Sequence, residues 1–252
     1  MYKRFSKEFF QQEEAISGFI ENFDKKGKVF GKIGRNTIKL FPLNGSTINI
    51  KSFKIPNIIN QIAYRFFRKS KAQRSFEYAL HLKKINIGTP EPIAYFENST
   101  AFLFKDSYYV SEHLAADLTY RELTRDLNYP NHEQILRAFT RFTFQLHENR
   151  VLFLDHSPGN TLIQLNNGNY KFYLVDLNRM EFKHLSLEER IKNFARLTVH
   201  KSMIETMSDE YAKCINEDAD KIFEMMWMET QQFQEKFRRK RRMKKKLKFW
   251  KA

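Results

Sequence analysis

Leu154-Asp155-His156-Ser157-Pro158-Gly159-Asn160, followed beyond a hairpin by Phe172-Tyr173-Leu174-Val175-Asp176, is the stretch on which the reading of this chain turns. An Asp is followed five residues on by an Asn, across a tight loop holding Pro and Gly. An apolar strand then ends in a second Asp. Phosphoryl transfer from ATP needs an acceptor for the hydroxyl proton, oxygen ligands for Mg²⁺ and a short rigid loop to hold them, because positioning and charge stabilisation supply nearly all of the catalysis. Asp155 suits the first task. Asn160 and Asp176 suit the second, since Mg²⁺ prefers hard oxygen donors. Asp-x₄-Asn alone is common. Its weight here comes from its frame: an amphipathic helix ending Leu146-His147-Glu148-Asn149 before it, and the hairpin turn Asn166-Asn167-Gly168-Asn169 and a buried strand after it.

The N-terminal half supplies the complementary groups. Ile48-Asn49-Ile50-Lys51 places a lysine on a strand where a kinase keeps its phosphate-binding lysine. Lys54 has the opposite strand parity, so at most one of the two faces a nucleotide; Lys51 is favoured, with Lys54 the alternative. In the helix after it, Glu77 is the expected ion-pair partner of Lys51. Gly31-Lys32-Ile33-Gly34-Arg35-Asn36 makes a turn whose backbone N–H groups could cover phosphates, so Gly31, Gly34 and Asn36 are candidate nucleotide contacts. Its G-x-x-G spacing is a weak signal. No G-x-x-x-x-G-K-[ST] occurs, which excludes a P-loop NTPase. Tyr108-Tyr109-Val110-Ser111-Glu112-His113-Leu114 falls where a hinge would take the adenine, with Glu112 and His113 as positional candidates.

Periodicity gives an α+β chain. Residues 1–26 read as a helical segment. Strands are expected at 28–33, 37–41 and 47–53, then a basic segment over 62–74, a helix from about 70 to 84, and strands at 93–96, 101–104 and 108–112. Helices are expected at 132–149, 185–207 and 218–237. The implied organisation is a β-rich lobe over 27–110 with one helix, a hinge at about 110–114, a mostly helical lobe over 111–235 and a tail over 236–252.

The chain has 252 residues and a formal charge of +15. Residues 236–251, KFRRKRRMKKKLKFWK, carry eleven Lys/Arg and no acid, and removing them leaves +4. The body is therefore no basic nucleic-acid binder. The tail mixes cations with Phe237, Leu247, Phe249 and Trp250, which suits an anionic membrane surface; a solvated helix end or non-specific nucleic-acid contact are the other readings. One cysteine, Cys214, excludes a disulfide framework. No segment has the ~18–20 apolar residues of a membrane-spanning helix, and the N-terminus lacks a signal-peptide pattern. A soluble, cytoplasmic protein is expected. Met225-Met226-Trp227-Met228 reads as core packing. His147 and His156 could steady the Asp155 loop, and Arg179 could meet a phosphate or an acidic sugar; structural hydrogen bonds and salt bridges are the plainer readings of all three.

These stretches resemble the protein-kinase-like superfamily, and more closely the bacterial lipopolysaccharide core (Kdo/heptose) kinases. The resemblance runs from about residue 28 to 200 and is most distinctive in Gly88-Thr89-Pro90-Glu91-Pro92 and Val175-Asp176-Leu177-Asn178-Arg179. It implies a two-lobed protein-kinase-like fold and ATP-dependent phosphorylation of a sugar hydroxyl in the lipopolysaccharide inner core. Asp155 would be the base, Asn160 and Asp176 the Mg²⁺ ligands, and Lys51 with Glu77 the phosphate clamp. The acceptor would be a core glycolipid at the cytoplasmic face of the inner membrane. Phe153 stands where protein kinases keep the His of H-R-D, Leu177-Asn178 replaces Phe-Gly, and no A-P-E follows, leaving little room to dock a peptide. Two other functions fit the residues: a soluble small-molecule kinase of the aminoglycoside or choline kinase type, and a membrane-associated pseudokinase scaffold.

Overall fold

Alternation along Ser46–Phe53 organises the first half of the chain. Ile48 and Ile50 are buried on one face of this strand and Phe53 on the other, as a two-residue period requires. The structure is a computed structural model that describes residues 1–31, 34, 36–166 and 168–249. The expected phosphate turn at Lys32, Ile33 and Arg35, Asn167 of the hairpin, and 250–252 of the tail lie outside the described residues.

Six antiparallel strands form one sheet in the order β1 (Tyr2–Phe5), β5 (Pro92–Ser99), β6 (Phe104–Glu112), β4 (Ser46–Phe53), β3 (Asn36–Leu43) and β2 (Lys28–Val29). Asn44 and Gly45, both at positive φ, make the tight turn between β3 and β4, as a two-residue hairpin with right-handed strand twist demands. One sheet face packs Ile48, Ile50, Phe96 and Val110 against Ile16 and Ile20 of α1 (Glu13–Glu21). On the other, Ala72 and Phe76 of α3 (Lys71–Lys84) meet Phe53 and Tyr95. Each buried Ile, Val or Phe among them contributes about 1.5–3 kcal/mol. Ser70 caps α3 by accepting from Gln73 N at 3.0 Å.

A second unit is mostly helical. It holds β7 (Leu118–Thr119), α4 (Tyr120–Arg125), α5 (His132–Glu148), β8 (Val151–Phe153), β9 (Thr161–Asn166), β10 (Asn169–Leu174), β11 (Met180–Phe182), α6 (Leu187–Phe194), α7 (Lys201–Ile215) and α8 (Ala219–Phe249). Its small sheets run β10-β9-β7 and β11-β8. Ile135, Leu136, Phe139, Phe142 and Leu146 form the buried stripe of α5, spaced at the helical period. By contacts the chain divides into residues 1–115 with 174–179, and 116–173 with 180–252.

Several elements depart from the sequence expectation. Tyr2–Phe5, expected within a helical segment, is an edge strand on β5; three of its four residues are exposed, so no alternation marks it. The expected strands at 101–104 and 108–112 are one strand from Phe104. Besides α1, which lies in the 1–26 segment expected to be helical, and α3, the first unit carries a further helix, α2 (Ile58–Phe66), partly within the span read as a basic segment. The helix expected over 185–207 breaks at Ala195–His200, where Thr198 Oγ1 accepts from His200 N at 3.1 Å. A threonine hydroxyl that accepts from a backbone N–H two residues on competes with helix continuation.

Candidate functional site

In the first unit, Lys51 shares the strand face of Phe53, on the side that α3 covers. Its Nζ lies 2.8 Å from Asp176 Oδ1, with side-chain exposures of 15% and 31%. Lys54 is exposed, and its backbone N donates to Asn36 Oδ1 at 3.4 Å. The approach to Asp176 is fixed from both sides of the backbone. Leu174 N donates to Gly88 O, and Thr89 Oγ1 donates to Leu174 O, each at 2.9 Å. The Gly-Thr-Pro step after α3 thus anchors the segment two residues before the carboxylate. Asp176 itself has φ 60°, a left-handed conformation that non-glycine residues seldom adopt and that concentrates at functional sites. Asn178 Nδ2 donates to Asp176 Oδ1 from two residues on.

The remaining candidates of this unit separate. Glu77 does not pair with Lys51. It accepts from Lys69 Nζ at 2.7 Å and Gln73 Nε2 at 3.0 Å, partners on and just before its own helix, while the Lys51 ammonium is taken by Asp176. Gly31 has φ +77° and Asn36 opens β3; Gly34 lies between residues that are not described. Glu112 N donates to Glu91 O at 2.9 Å and His113 N to Thr47 O at 2.8 Å. With both N–H groups used in the fold, an adenine contact at these two residues would fall to their carbonyls.

The second unit carries the loop 154–160. Asn160 Nδ2 donates to Asp155 O at 2.8 Å and Asn160 N to Ser157 O at 2.9 Å. The loop is closed on itself, and the Asn160 amide oxygen stays outside that bond. Arg196 holds the Asp155 carboxylate, with Nη1 2.8 Å from Oδ1 and 3.1 Å from Leu154 O. Its guanidinium also lies 5.7 Å from the Phe233 ring centre on α8. Behind the loop, Asn193 Nδ2 donates to Phe153 O at 2.8 Å while its Oδ1 faces His147 Nε2 at 3.2 Å. His147 Nδ1 meets Tyr211 OH at 2.8 Å. A chain of polar contacts from α7 through α5 and α6 therefore fixes the strand that delivers Asp155. Sequence reasoning did not single out Arg196 or Asn193; both lie some forty residues from the loop, and a helical Arg or Asn has no local signature.

Burial, foremost, pushes the His147 imidazole down to about 4 and His156 to about 3. His156 sits between the rings of Phe139 and Phe153, with no hydrogen-bond partner for either nitrogen among the described residues. Both rings are neutral in the fold, whereas an unfolded histidine titrates near ~6.5. Below that pH the unfolded chain binds protons that the native state refuses, so stability present above pH ~6.5 is lost as pH falls toward the native values. Two such groups together cost on the order of 4 kcal/mol by pH ~5. The melting temperature should drop clearly from pH 7 to pH 5, and His156→Phe should flatten the drop. A melting temperature constant over that range would refute the assignment.

Among the described residues, no group of three or more His, Cys, Asp or Glu is placed to hold a metal. Mg²⁺ in a nucleotide site takes one or two protein oxygens and leaves its other positions to phosphate and water. Asp176 offers a carboxylate, whose Oδ1 meets Lys51 and Asn178, and Asn160 offers an amide oxygen. Both are donors of the required hardness.

Residues 54–218 match the lipopolysaccharide kinase (Kdo/WaaP) family. That span contains Glu77, Asp155, Asn160 and Asp176, and begins three residues after Lys51. No curated protein matches the chain in sequence. Among solved structures the chain is similar to one described as WaaP in complex with acyl carrier protein. The two share 16% identity at a TM-score of 0.62, over 92% of this chain and 99% of the other. At that identity the likeness establishes the fold, which is kinase-like: an antiparallel-sheet unit followed by a mostly helical one.

Proposed function

The chain belongs to the lipopolysaccharide kinase (Kdo/WaaP) family, and we propose that it transfers the γ-phosphoryl group of ATP to a Kdo or heptose hydroxyl of the lipopolysaccharide inner core. Membership makes it a phosphotransferase with an alcohol acceptor. The Lys51–Asp176 ion pair carries the assignment of residues, because it joins a strand ammonium to a carboxylate on a strained turn. In this reading Lys51 takes a phosphate oxygen of the nucleotide. Asp155, oriented by Arg196, accepts the proton of the acceptor hydroxyl as its oxygen attacks phosphorus and the ADP oxygen leaves. Asp176 and Asn160 would hold Mg²⁺, which when bound neutralises charge on the phosphates. Glu77, engaged with Lys69 and Gln73, serves to hold α3 rather than the lysine.

The acceptor is lipid-linked, and the enzyme would meet it at the cytoplasmic face of the inner membrane, where the cationic tail from Lys236 favours an anionic surface. Incubation with γ-labelled ATP and purified core glycolipid tests the reaction. Label should enter the glycolipid with the wild-type chain, and mass spectrometry then places the phosphate. Absence of transfer would overturn the proposal; equal transfer to free sugars or amino-alcohols without lipid would move the chain to the small-molecule kinases. Deleting Lys236–Ala252 should weaken vesicle binding and spare transfer to detergent-dispersed acceptor.

A further inference from the structure

Helix α2 is amphipathic in the wrong sense for a helix packed on a core. Gln61, Ala63 and Tyr64 are its half-buried positions: Tyr64 lies against Phe104 with ring centres 5.6 Å apart, and Gln61 Nε2 donates to Pro56 O at 2.9 Å. Ile58, Ile59, Ile62 and Phe66 fall on one arc about 100° wide at 3.6 residues per turn. They are exposed at 61%, 75%, 43% and 53%. Ile55 before the helix and Phe67 after it extend the same surface, at 49% and 82%. A contiguous exposed apolar surface on a folded domain marks an interaction site.

The setting identifies what it meets. From Lys54 to Arg74 the chain has six Lys/Arg and no Asp or Glu, of which Lys69 is paired with Glu77, so the segment that carries the apolar arc is itself basic. The helix is already formed: Asn57 Oδ1 caps it by accepting from Asn60 N at 3.0 Å. Arg65 Nε donates to Thr100 O at 3.1 Å and Ala101 O at 3.3 Å, tying α2 to the turn that carries Phe102, another exposed ring. A second copy of this chain would bring like charges together across such a face. An interfacial helix with apolar residues on one side and basic residues flanking it suits anionic lipid, where the rings and aliphatic chains enter the headgroup boundary and the cations remain at the phosphates.

We propose that the α2 face, Ile55 to Phe67, docks this protein on an anionic lipid surface. The contact is separate from the tail after Lys236 and does not depend on the transferase reading.

Co-sedimentation of the full chain with vesicles of phosphatidylcholine and phosphatidylglycerol tests it. Ile59→Asp/Phe67→Asp should raise the lipid needed for half-maximal binding at least about tenfold. Its melting temperature should match that of the wild type, since both positions are exposed. In a second measurement, Phe67→Trp should show blue-shifted emission on adding these vesicles, beyond the change from Trp227 and Trp250 in the wild type. Failure of the wild type to bind, equal binding to pure phosphatidylcholine, equal binding by the double variant, or no added shift at position 67 would each overturn the proposal. So would a wild-type dimer that the double variant converts to monomer without loss of vesicle binding, which would make the face an interface between copies. If label transfer to glycolipid fails while vesicle binding still depends on Ile59 and Phe67, the reaction assignment falls and this surface stands.

Discussion

Asp176→Asn is expected to lower the rate of phosphotransfer by about 10³-fold while leaving the chain folded. The substitution removes one negative charge and changes little else. Asn tolerates the left-handed backbone that Asp176 occupies at φ 60°, and Gly88 and Thr89 hold the preceding segment through Leu174 backbone atoms that the variant retains. Two functions are lost together: the counter-charge of Lys51 at 2.8 Å, and the hard carboxylate that a divalent cation requires. Because transfer depends on charge placed in advance around the phosphates, loss of one such group costs orders of magnitude in rate, at the upper end of the ~10²–10³ typical of a single neutral donor. Stability should shift by only about 1 kcal/mol, since the pair is partly exposed and screened, which is a few degrees in a chain of this size. Initial rates with Mg²⁺ and ATP, beside a thermal melt, check both halves. A variant that keeps more than about a tenth of wild-type turnover would remove Asp176 from the reaction.

What the sequence made legible, and what it did not, follows from the range of the interactions involved. Strand β4 and helix α5 are written in local periodicity, and Asp155, Asn160 and Asp176 could be selected because short loops and strand ends place polar side chains in a way that spacing encodes. The partner of Lys51 was not legible. Glu77 is a sound choice by analogy with kinases, yet Gln73, four residues away on the same helix, and Lys69, eight residues away just before it, take the carboxylate. Asp176, 125 residues along the chain from Lys51, is brought to it by tertiary structure alone. The same limit hid Arg196, whose bond to Asp155 spans two elements. It hid β1, whose pairing with β5 is non-local and leaves one side chain buried. Helix α2 was obscured for a different reason: its apolar residues face outward, so the basic residues around it dominated the reading.

Asp155→Ala should reduce turnover by about 10²–10⁴-fold, with nucleotide affinity unchanged because the residue is assigned to the acceptor hydroxyl and not to ATP. Its carboxylate is held rather than free. Arg196 donates to Oδ1 at 2.8 Å and the closed loop to Asn160 fixes the backbone, so the orientation of the proton acceptor is set before substrate binds. That arrangement predicts a graded series. Asp155→Ala removes the acceptor itself, whereas Arg196→Ala leaves it present and unrestrained. The second variant should lose roughly tenfold in turnover, as expected of a positioning contact rather than of the reacting group. Arg196→Lys should recover part of that loss, because the ammonium can still meet the carboxylate but lacks the rigid guanidinium plane that holds Nη1 against both Asp155 Oδ1 and Leu154 O. Steady-state kinetics with varied ATP separate the two effects: turnover should fall in the order wild type, Arg196→Lys, Arg196→Ala, Asp155→Ala, with the apparent affinity for ATP constant. Should Asp155→Ala retain activity comparable to Arg196→Ala, proton acceptance would have to be reassigned, and the salt bridge would be left with a purely structural purpose.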